Sequence, residues 1–395
     1  MNLLLVGDAN SIFFVEYVKA LKKIMDIRVS VYSPEPNRNL YSEYPYDEVY
    51  FDDYSDKKIT KIKLFGGMLM PFLLYRNFKR FIEKSNTKFD IIHIHWLRPA
   101  WVINPKLFNK YTQNFIVTFW GGELEKLQLL HSHHIYMNRL GKLLECADYC
   151  MGSSVFLKGR VAKLYPYINN KSCFGYYGSS IIELLSKKET TNTEAKMLFN
   201  ITPSKKTVLL GYSGKKIHRH LDLLDSISVN STFNKYKESI HFILPMTRGA
   251  SSAYIQDVEE KLHEIGCSYT MIKNTYQTDE DVANLRLATD IAFQVTEFDG
   301  LSNSIKEILC AGSILICGDW FPTYSVLKKD GFRYFEVNSI QYAVDTFYNV
   351  LPNYETNKKQ FDANKNVAKA KYSWSECIKP WADLYNKCKN NEALL

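Results

Sequence analysis

Short runs of apolar and β-branched residues alternate with amphipathic segments along most of the chain. In the first half, five such runs are predicted to be buried strands: Leu3 to Val6, Ile27 to Tyr32, Ile91 to His95, Phe115 to Phe119 and Tyr149 to Gly152. The segments Phe13 to Ile24 and Glu123 to Cys146, which lie between them, carry apolar residues at helical spacing. Apolar strands separated by amphipathic helices are typical of a parallel sheet covered on both faces. This half is therefore predicted to be a Rossmann-like α/β domain.

The same alternation starts again after the polar stretch 187–194. The strands predicted there are Thr207 to Tyr212, His241 to Leu244, Ser268 to Ile272, Asp290 to Gln294 and Ile314 to Cys317. We expect an N-terminal Rossmann-like domain over 1–178, a linker over 179–204, a C-terminal Rossmann-like domain over 205–370 and a final helical segment over 371–395. Because ligands of open α/β sheets bind beyond the carboxyl ends of the strands, two such domains facing each other would enclose a cleft for two substrates.

The composition is that of a globular protein. The 395 residues are 46% hydrophobic and 23% charged, which gives room for two domains with cores of their own. The apolar stretch Leu64 to Tyr75 is shorter than the roughly 20 residues that a membrane span needs.

The first residues lack the charged start and cleavage site of a signal peptide, and the eight cysteines are scattered singly, so a cytoplasmic location with reduced thiols is expected. No spacing of histidine, cysteine or acidic residues indicates a zinc site, and we expect neither a metal nor another cofactor.

The segment from Asp299 to Ile316 is the most informative stretch. It places Asp299 and Glu307 eight positions apart, across a turn at Gly300 and the first turns of a predicted helix that begins at Asn303 or Ser304. The N–H groups of a helix start favour phosphate, and a carboxylate further along such a helix can accept the hydroxyls of a ribose. This arrangement predicts a nucleotide-sugar site in which Glu307 binds the ribose.

The same segment resembles the acid-x7-acid motif of the retaining glycosyltransferases of family four, which have the GT-B fold. Ala311-Gly312-Ser-Ile-Leu-Ile316 is similar to the helix-to-strand step of that family. Leu301 lies in the loop that follows Asp299. The first acid is Asp299 where the family has glutamate, so Glu297 is an alternative for this role. The resemblance implies a donor domain in the C-terminal half and a final segment, 371–395, that packs back on the N-terminal domain.

A second cluster lies between the first strand and first helix of the C-terminal half. In Gly211-Tyr-Ser-Gly-Lys-Lys-Ile-His-Arg-His220, Gly214 permits close approach of the backbone to a ligand and Ser213 can donate a hydrogen bond. The cations expected to neutralise the leaving diphosphate are Lys215, Arg219 or His220. With the downstream segment Phe242 to Arg248, the cluster is similar to the bacterial family-56 transferase, which moves TDP-linked 4-acetamido-fucose (Fuc4NAc) onto a lipid-linked disaccharide. Tyr212 and Lys215 depart from that pattern, which leaves the sugar open.

In the N-terminal half, Trp120-Gly121-Gly122-Glu123 follows a predicted strand and is similar to a Trp-Gly-x-acid element of family 56. The two glycines would permit a tight strand-to-helix bend. Glu123 is predicted to act as the general base if the reaction inverts, or to hold the acceptor if it retains, with a helix-capping carboxylate as the competing interpretation. Trp120, the two glycines and His95 are predicted to lie on the acceptor side.

Two further features of the C-terminal half need interpretation. Asp279-Glu-Asp281 formally spells a metal-binding Asp-x-Asp, but after Thr278 it is better explained as a helix start with a capping box. Tyr276 lies where GT-B enzymes place the donor base and is a candidate for stacking on it.

The chain has a formal net charge of +8, and no nucleic-acid motif accompanies that charge. Eight cations between Lys57 and Lys84 flank the apolar run Leu64 to Tyr75, opposed only by Glu83. A basic and apolar stretch of this kind suits a surface anchor on an anionic leaflet, and a core helix with a solvated basic face is the alternative. The first interpretation predicts a peripheral protein on the inner face of the cytoplasmic membrane.

Together these features predict a metal-independent hexosyltransferase of the GT-B fold. It would transfer a sugar from a nucleoside-diphosphate donor to a lipid-linked or polysaccharide acceptor in bacterial surface-glycan assembly, such as O-antigen or capsule. A GT-B UDP-sugar 2-epimerase is one alternative, although it has no acceptor and no need of a basic membrane-facing surface. A non-catalytic GT-B partner protein is another, although it would have no need of the acids at 299 and 307.

Overall fold

The computed structural model describes residues 1–41, 43–52, 66–85, 87–121, 133–273, 278–297, 299–320 and 322–390. Their packing divides the chain into two units. The first consists of Met1–Gly178 together with Trp374–Leu395, and the second of Ser179–Ser373. The predicted Glu123, Gly122 and Tyr276, and residues 57–65 of the basic segment, lie outside the described residues.

Each unit is built on one sheet in which all neighbouring strands are parallel. The strands of the first unit are β1 (Asn2–Val6), β2 (Arg28–Ser33), β3 (Glu48–Phe51), β4 (Ile91–His95), β5 (Asn114–Phe119), β6 (Tyr149–Gly152) and β7 (Ser172–Phe174), in the order β3-β2-β1-β4-β5-β6-β7. Those of the second unit are β8 (Lys206–Leu210), β9 (Ile240–Met246), β10 (Ser268–Lys273), β11 (Ile291–Gln294), β12 (Ile314–Gly318) and β13 (Phe335–Val337), in the order β10-β9-β8-β11-β12-β13. The structure thus contains a strand at each of the ten predicted positions.

Helices alternate with most of the strands in the described residues, and five of them follow β13. They are α1 (Ile12–Ile24), α2 (Gly66–Lys84), α3 (His133–Cys146), α4 (Val155–Leu164), α5 (Ser180–Lys187), α6 (Asn192–Leu198), α7 (His220–Val229), α8 (Phe233–Tyr236), α9 (Ser252–Ile265), α10 (Asp279–Ala288), α11 (Asn303–Cys310), α12 (Ser325–Lys329), α13 (Ile340–Val350), α14 (Tyr354–Lys359), α15 (Asn364–Tyr372), α16 (Trp374–Cys377) and α17 (Lys379–Asn390). Short 3-10 helices occupy Pro105–Lys110, Pro166–Lys171, Lys216–His218, Lys237–Ser239, Pro322–Tyr324 and Leu351–Asn353. No helix among the described residues is long and apolar enough to cross a membrane.

The first sheet has an apolar core on each face, because successive side chains of a strand point to opposite sides. Leu4 and Ile92 belong to the core on one face, and that core also contains residues of α2 and α3. Leu3 and Ile91 belong to the core on the other face, which is shared with α1 and α17. Burial on both faces explains why these strands are almost continuously apolar.

The final helix is fixed to the first unit by buried hydrogen bonds. The Tyr17 hydroxyl donates to the Tyr385 hydroxyl at 2.7 Å, and the Tyr385 oxygen lies 2.6 Å from His93 Nδ1. His93 Nε2 lies 2.6 Å from Thr118 Oγ1, so the network links α1, two central strands and α17. The indole N–H of Trp381 donates to the Tyr176 carbonyl at 3.1 Å.

The segment 179–204, for which the sequence predicts a linker, contains helices α5 and α6 and belongs to the second unit. The polar stretch 187–194 suggests a linker, but a lysine just after it is buried. Lys196 is 2% exposed, and its ammonium lies 2.6 Å from Asp290 Oδ2 while donating to the Lys205 carbonyl at 2.9 Å. A buried charge whose partner, Asp290, directly precedes a central strand holds the segment in the core.

We expect Tyr385→Phe to lower the free energy of unfolding by about 1–3 kcal/mol, because His93 and Tyr17 each lose a buried hydrogen-bond partner. Urea unfolding followed by tryptophan fluorescence measures the effect. Tyr342→Phe is the matched control, since this tyrosine is 53% exposed on α13. Equal losses in the two variants would contradict the role given to the buried network.

Candidate functional site

The strand order of each sheet reverses once, between β1 and β4 in the first unit and between β8 and β11 in the second. In open α/β sheets this reversal opens a crevice at the carboxyl ends of the strands, where ligands bind. The loop 211–220 follows β8, and the segment from Glu297 to Glu307 follows β11. The structure brings them together, because the Glu297 N–H donates to the Ile217 carbonyl at 2.8 Å and the Tyr212 hydroxyl to Asp299 Oδ1 at 3.3 Å.

The loop after β8 runs close to the loop after β9. The Gly214 N–H donates to the Arg248 carbonyl at 3.0 Å, and a Cβ at Gly214 would lie 2.5 Å from the Ala250 Cβ. A side chain at 214 therefore has no room. Gly249 has φ +78°, and the Lys215 side chain packs over it, since a Cβ there would lie 2.6 Å from Lys215 Cγ.

Besides Lys216, whose ammonium lies over the Tyr254 ring at 5.1 Å, two cations of this edge reach solvent, Lys215 and Arg248. Both are exposed, and neither forms an ion pair with a carboxylate in the part of the chain that the structure describes. Arg219 is different, because its Nε donates to Asp222 Oδ2 at 2.8 Å and its charge is partly balanced. Two uncompensated cations on adjoining loops form an arrangement suited to an anion.

His220 corrects one expectation from the sequence. Its side chain is fully buried, with Nδ1 3.2 Å from the Tyr254 hydroxyl, and burial lowers the pKa of the imidazole to about 4. The ring is therefore neutral near pH 7 and adds no positive charge to the edge. Desolvation disfavours the charged form of a histidine. The run of basic residues around His220 in the sequence gives no sign that this side chain is buried.

His218 was missed by the sequence interpretation. Its Nε2 lies 2.9 Å from Ser213 Oγ, and its burial lowers the pKa of the ring to about 3. The neutral ring fixes the Ser213 hydroxyl at the start of the loop. Gly211 makes room for it, since with φ +65° a Cβ at this position would lie 2.8 Å from the His218 Cβ.

The two candidate first acids differ in environment. Glu297 is exposed to solvent. Asp299 is 6% exposed and accepts hydrogen bonds from the Tyr324 hydroxyl at 2.7 Å and the Ser302 N–H at 3.2 Å. Burial raises the pKa of the Asp299 carboxyl above its usual value, although these donors oppose the rise. Asp299 holds the loop together, whereas Glu297 is available to a ligand.

The turn between these acids and α11 is open to solvent at one position. Gly300 is exposed, and a Cβ there would meet nothing within 4 Å. Leu301 has φ +70°, a left-handed conformation that is strained for a leucine. The helix begins at Asn303, as predicted, and Asn303 and Ser304 in its first turn are partly exposed.

Glu307 lies on α11 but already has protein partners. Its Oε1 accepts from the Ser179 hydroxyl at 2.8 Å, and its Oε2 lies 3.2 Å from Arg286 Nη2. Both charged side chains are nearly buried. A ribose at Glu307 would share the carboxylate with Arg286, a partner that the sequence pattern did not suggest.

In the first unit, Trp120 and Gly121 follow β5. Gly121 has φ +106°, consistent with the predicted bend, and Trp120 is partly exposed. His95 is 1% exposed, with Nδ1 2.7 Å from the Tyr177 hydroxyl, and burial lowers its pKa to about 3. His95 lies in the core behind the edge, so it cannot contact an acceptor directly in this conformation.

The Asp-x-Asp sequence is a helix cap, as predicted. The Asp281 N–H donates to Thr278 Oγ1 at 3.1 Å, and the Thr278 N–H donates to Asp281 Oδ2 at 2.9 Å. Asp279 accepts from the Ser180 hydroxyl at 2.7 Å. Among the described residues, no cluster of three acidic, histidine or cysteine side chains is arranged to hold a metal ion.

The fold matches that of known GT-B proteins. A sucrose-phosphate synthase from Thermosynechococcus elongatus superposes with a TM-score of 0.74 at 12% identity, over 99% of this chain and 100% of that one. A glycosyltransferase from Rickettsia africae gives 0.71 at 14% identity, over 99% of both chains. Anabaena HepE in complex with UDP gives 0.69 at 11% identity, over 98% of this chain and 100% of that one. No family model and no curated protein sequence matches the chain. These similarities confirm two parallel-sheet Rossmann-like units of the GT-B class.

We expect acid to destabilise the protein partly through its buried histidines. Because the folded pKa of His220, about 4, lies below the ordinary 6.5, the unfolded chain takes up a proton as the pH falls below 6.5 and the folded chain does not until about pH 4. Across this window the imidazole costs up to about 1.4 kcal/mol of unfolding free energy per pH unit. Urea unfolding from pH 7 to pH 4.5 should show a shallower dependence for His220→Gln than for the parent. Identical pH profiles would contradict the neutral burial of this ring.

Proposed function

We propose that the chain is a glycosyltransferase that uses a nucleoside-diphosphate sugar and transfers its sugar to a lipid-linked or polysaccharide acceptor in bacterial surface-glycan assembly. The observation that carries the proposal is the pair of exposed, uncompensated cations, Lys215 and Arg248, beside the Gly214 loop at the strand-order reversal of the second unit. The solved structures of HepE with UDP and with UDP-glucose support a nucleotide-sugar donor for a chain of this fold.

In the proposed reaction, an acceptor hydroxyl attacks the anomeric carbon, the bond from that carbon to the diphosphate oxygen breaks, and the diphosphate leaves with the electron pair. Lys215 and Arg248 would stabilise the negative charge that develops on the diphosphate, a role that a metal ion has in other transferases. We therefore propose that transfer is independent of metal. Glu123 remains our proposal for the group that takes the acceptor proton or holds the acceptor.

The acids of the second unit receive separate roles in this proposal. Glu297, which is exposed, would contact the donor sugar, while Asp299 shapes the loop through Tyr324 and the Ser302 N–H. Glu307 would accept the ribose hydroxyls while Arg286 holds the carboxylate in place through their ion pair. Arg286 would thus orient Glu307 rather than contact the donor.

We also propose that α2 helps to hold the protein on an anionic leaflet. Leu69 and Phe72 are 44% and 55% exposed near its start, and Arg76 and Arg80 are exposed on the following turns. Lys79 is exposed as well, and its weak contact with Glu83 at 3.6 Å leaves most of its charge available. Exposed apolar residues followed by exposed cations are characteristic of a helix that lies in the membrane interface.

The donor proposal predicts that Lys215→Ala and Arg248→Ala each weaken UDP binding by roughly ten- to a hundredfold, because each removes a charge-assisted contact to the diphosphate. Titration calorimetry with UDP, GDP and TDP measures the affinities and identifies the base. Lys216→Ala is the matched control, since this neighbouring ammonium lies over the Tyr254 ring at 5.1 Å. The parent should bind equally in EDTA and in magnesium. UDP, GDP and TDP affinities that are unchanged in both variants would refute the site.

The membrane proposal predicts that the triple variant Arg76→Glu, Lys79→Glu, Arg80→Glu no longer sediments with anionic vesicles. Exposed charges are screened over a Debye length of about 8 Å at physiological salt, so binding of the parent should weaken as salt rises. Lys365→Glu, Lys369→Glu, Lys389→Glu is a control with the same change of charge at exposed positions outside α2. A parent protein that ignores anionic vesicles even at low salt would overturn the proposal.

A further inference from the structure

The amino ends of three strands in the second unit carry a group of charges that lies outside the proposed donor site. Lys206 is the first residue of β8, Asp290 directly precedes β11, and Gly312 lies two residues before β12. Because β8, β11 and β12 are parallel neighbours, these residues lie at one end of the sheet, and the donor loops follow the other end. Helix α14 adds Lys358 to this end, where it contacts the Gly312 carbonyl. We call Lys196, Lys206 and Lys358 the lysine cluster.

Two members of the lysine cluster have a carboxylate of their own. The Lys196 ammonium lies 2.6 Å from Asp290 Oδ2, and the Lys206 ammonium lies 3.2 Å from Glu355 Oε1. Lys206 also lies 3.7 Å above the centre of the Tyr354 ring, whose hydroxyl donates to Asp290 Oδ1 at 2.8 Å. The two nearest carboxylates are therefore already engaged.

Lys358 is the third cation of the cluster and is held differently. It is partly exposed, and its Nζ makes a long contact of 3.5 Å with the Gly312 carbonyl. It lies 5.8 Å from the centre of the same Tyr354 ring that Lys206 covers. Within the part of the chain that the structure describes, Lys358 forms no ion pair with a carboxylate. Its amine thus combines access to solvent with a setting that gives its charge little support.

This setting favours the neutral amine of Lys358. Partial burial lowers the pKa of its ammonium below the usual value, and the positive charge of Lys206 acts in the same direction. The more distant charges of Asp290, Asp362 and Glu355 oppose the change without reversing it. The neutral form is the nucleophile of a lysine, so burial of this kind activates the side chain.

Lys206 adds a second element, a cation beside the nucleophile. Its partner Glu355 is 79% exposed, so water screens their ion pair and leaves Lys206 able to attract an anion. A nucleophilic amine next to such a cation suits a reagent whose leaving group is a phosphate.

We propose that Lys358 is a modification site that takes an acyl group from a small acyl phosphate. The amine nitrogen attacks the carbonyl carbon and forms an amide bond, while the bond from that carbon to the phosphate oxygen breaks. The phosphate leaves with the electron pair toward Lys206, and the nitrogen releases one proton to water. The product amide is uncharged, which removes the repulsion between Lys358 and Lys206, so the folded chain tolerates the modification. The proposal does not depend on the transferase function.

The test is acetylation of the full chain by a limiting amount of acetyl phosphate at pH 7.5, with the occupancy of each lysine measured by mass spectrometry after Glu-C digestion. Lys359, the next residue of α14 and exposed, is the matched internal control. We expect the occupancy of Lys358 to be severalfold that of Lys359. The ratio should fall toward one as the pH is raised to 10, because both amines then become neutral. In urea that unfolds the chain, the two lysines should react alike.

A variant tests the role of the neighbouring cation. Lys206→Gln should lower the occupancy of Lys358 by about threefold, since it removes one exposed contact to the phosphate and one nearby positive charge. Lys329→Gln, at an exposed lysine of α12, should leave that occupancy unchanged. Equal occupancy of Lys358 and Lys359 in the native chain would overturn the proposal. A preference for Lys358 that persists in urea, or that is unaffected by Lys206→Gln, would overturn it as well.

Discussion

The reversal of strand order within each parallel sheet is the constraint on which the other features depend. Where the order reverses, the connections from two neighbouring strands leave toward opposite faces, and the carboxyl ends of those strands stay uncovered. In the second unit the uncovered edge carries the Gly214 loop and the segment from Glu297 to Glu307. In the first unit it carries Asp8 and Trp96. The same topology thus presents cations in one unit and aromatic rings in the other.

Desolvation decides which of the clustered basic residues carries a charge. Lys215 reaches water and stays available to an anion, while His218 and His220, three and five positions later, are buried and neutral. Their role is to fix the loop, through Ser213 and Tyr254. At this edge the positive charges are carried by long, exposed side chains. The hydrogen bonds that fix the loop are made by buried, uncharged ones.

The sequence predicted the central strands well, because burial on both faces makes them continuously apolar. It missed β3, whose residues are largely exposed, and β7 and β13, which have three residues each and give no periodic signal. The two clusters that we propose bind the donor were singled out through their glycines and acids. Arg286, the partner of Glu307, was missed because it lies 21 positions away on another helix.

The chain leaves the first unit after Gly178 and returns to it at Trp374, with the whole second unit in between. This connectivity imposes an order on biosynthesis. Tyr385 and Trp381, which complete one core of the first unit, are translated only after every strand of the second unit has been translated. Until then, the face of the nascent first sheet that α17 covers exposes apolar surface, a condition that invites chaperone binding or misassembly. The second unit is therefore fully translated before the first unit is complete.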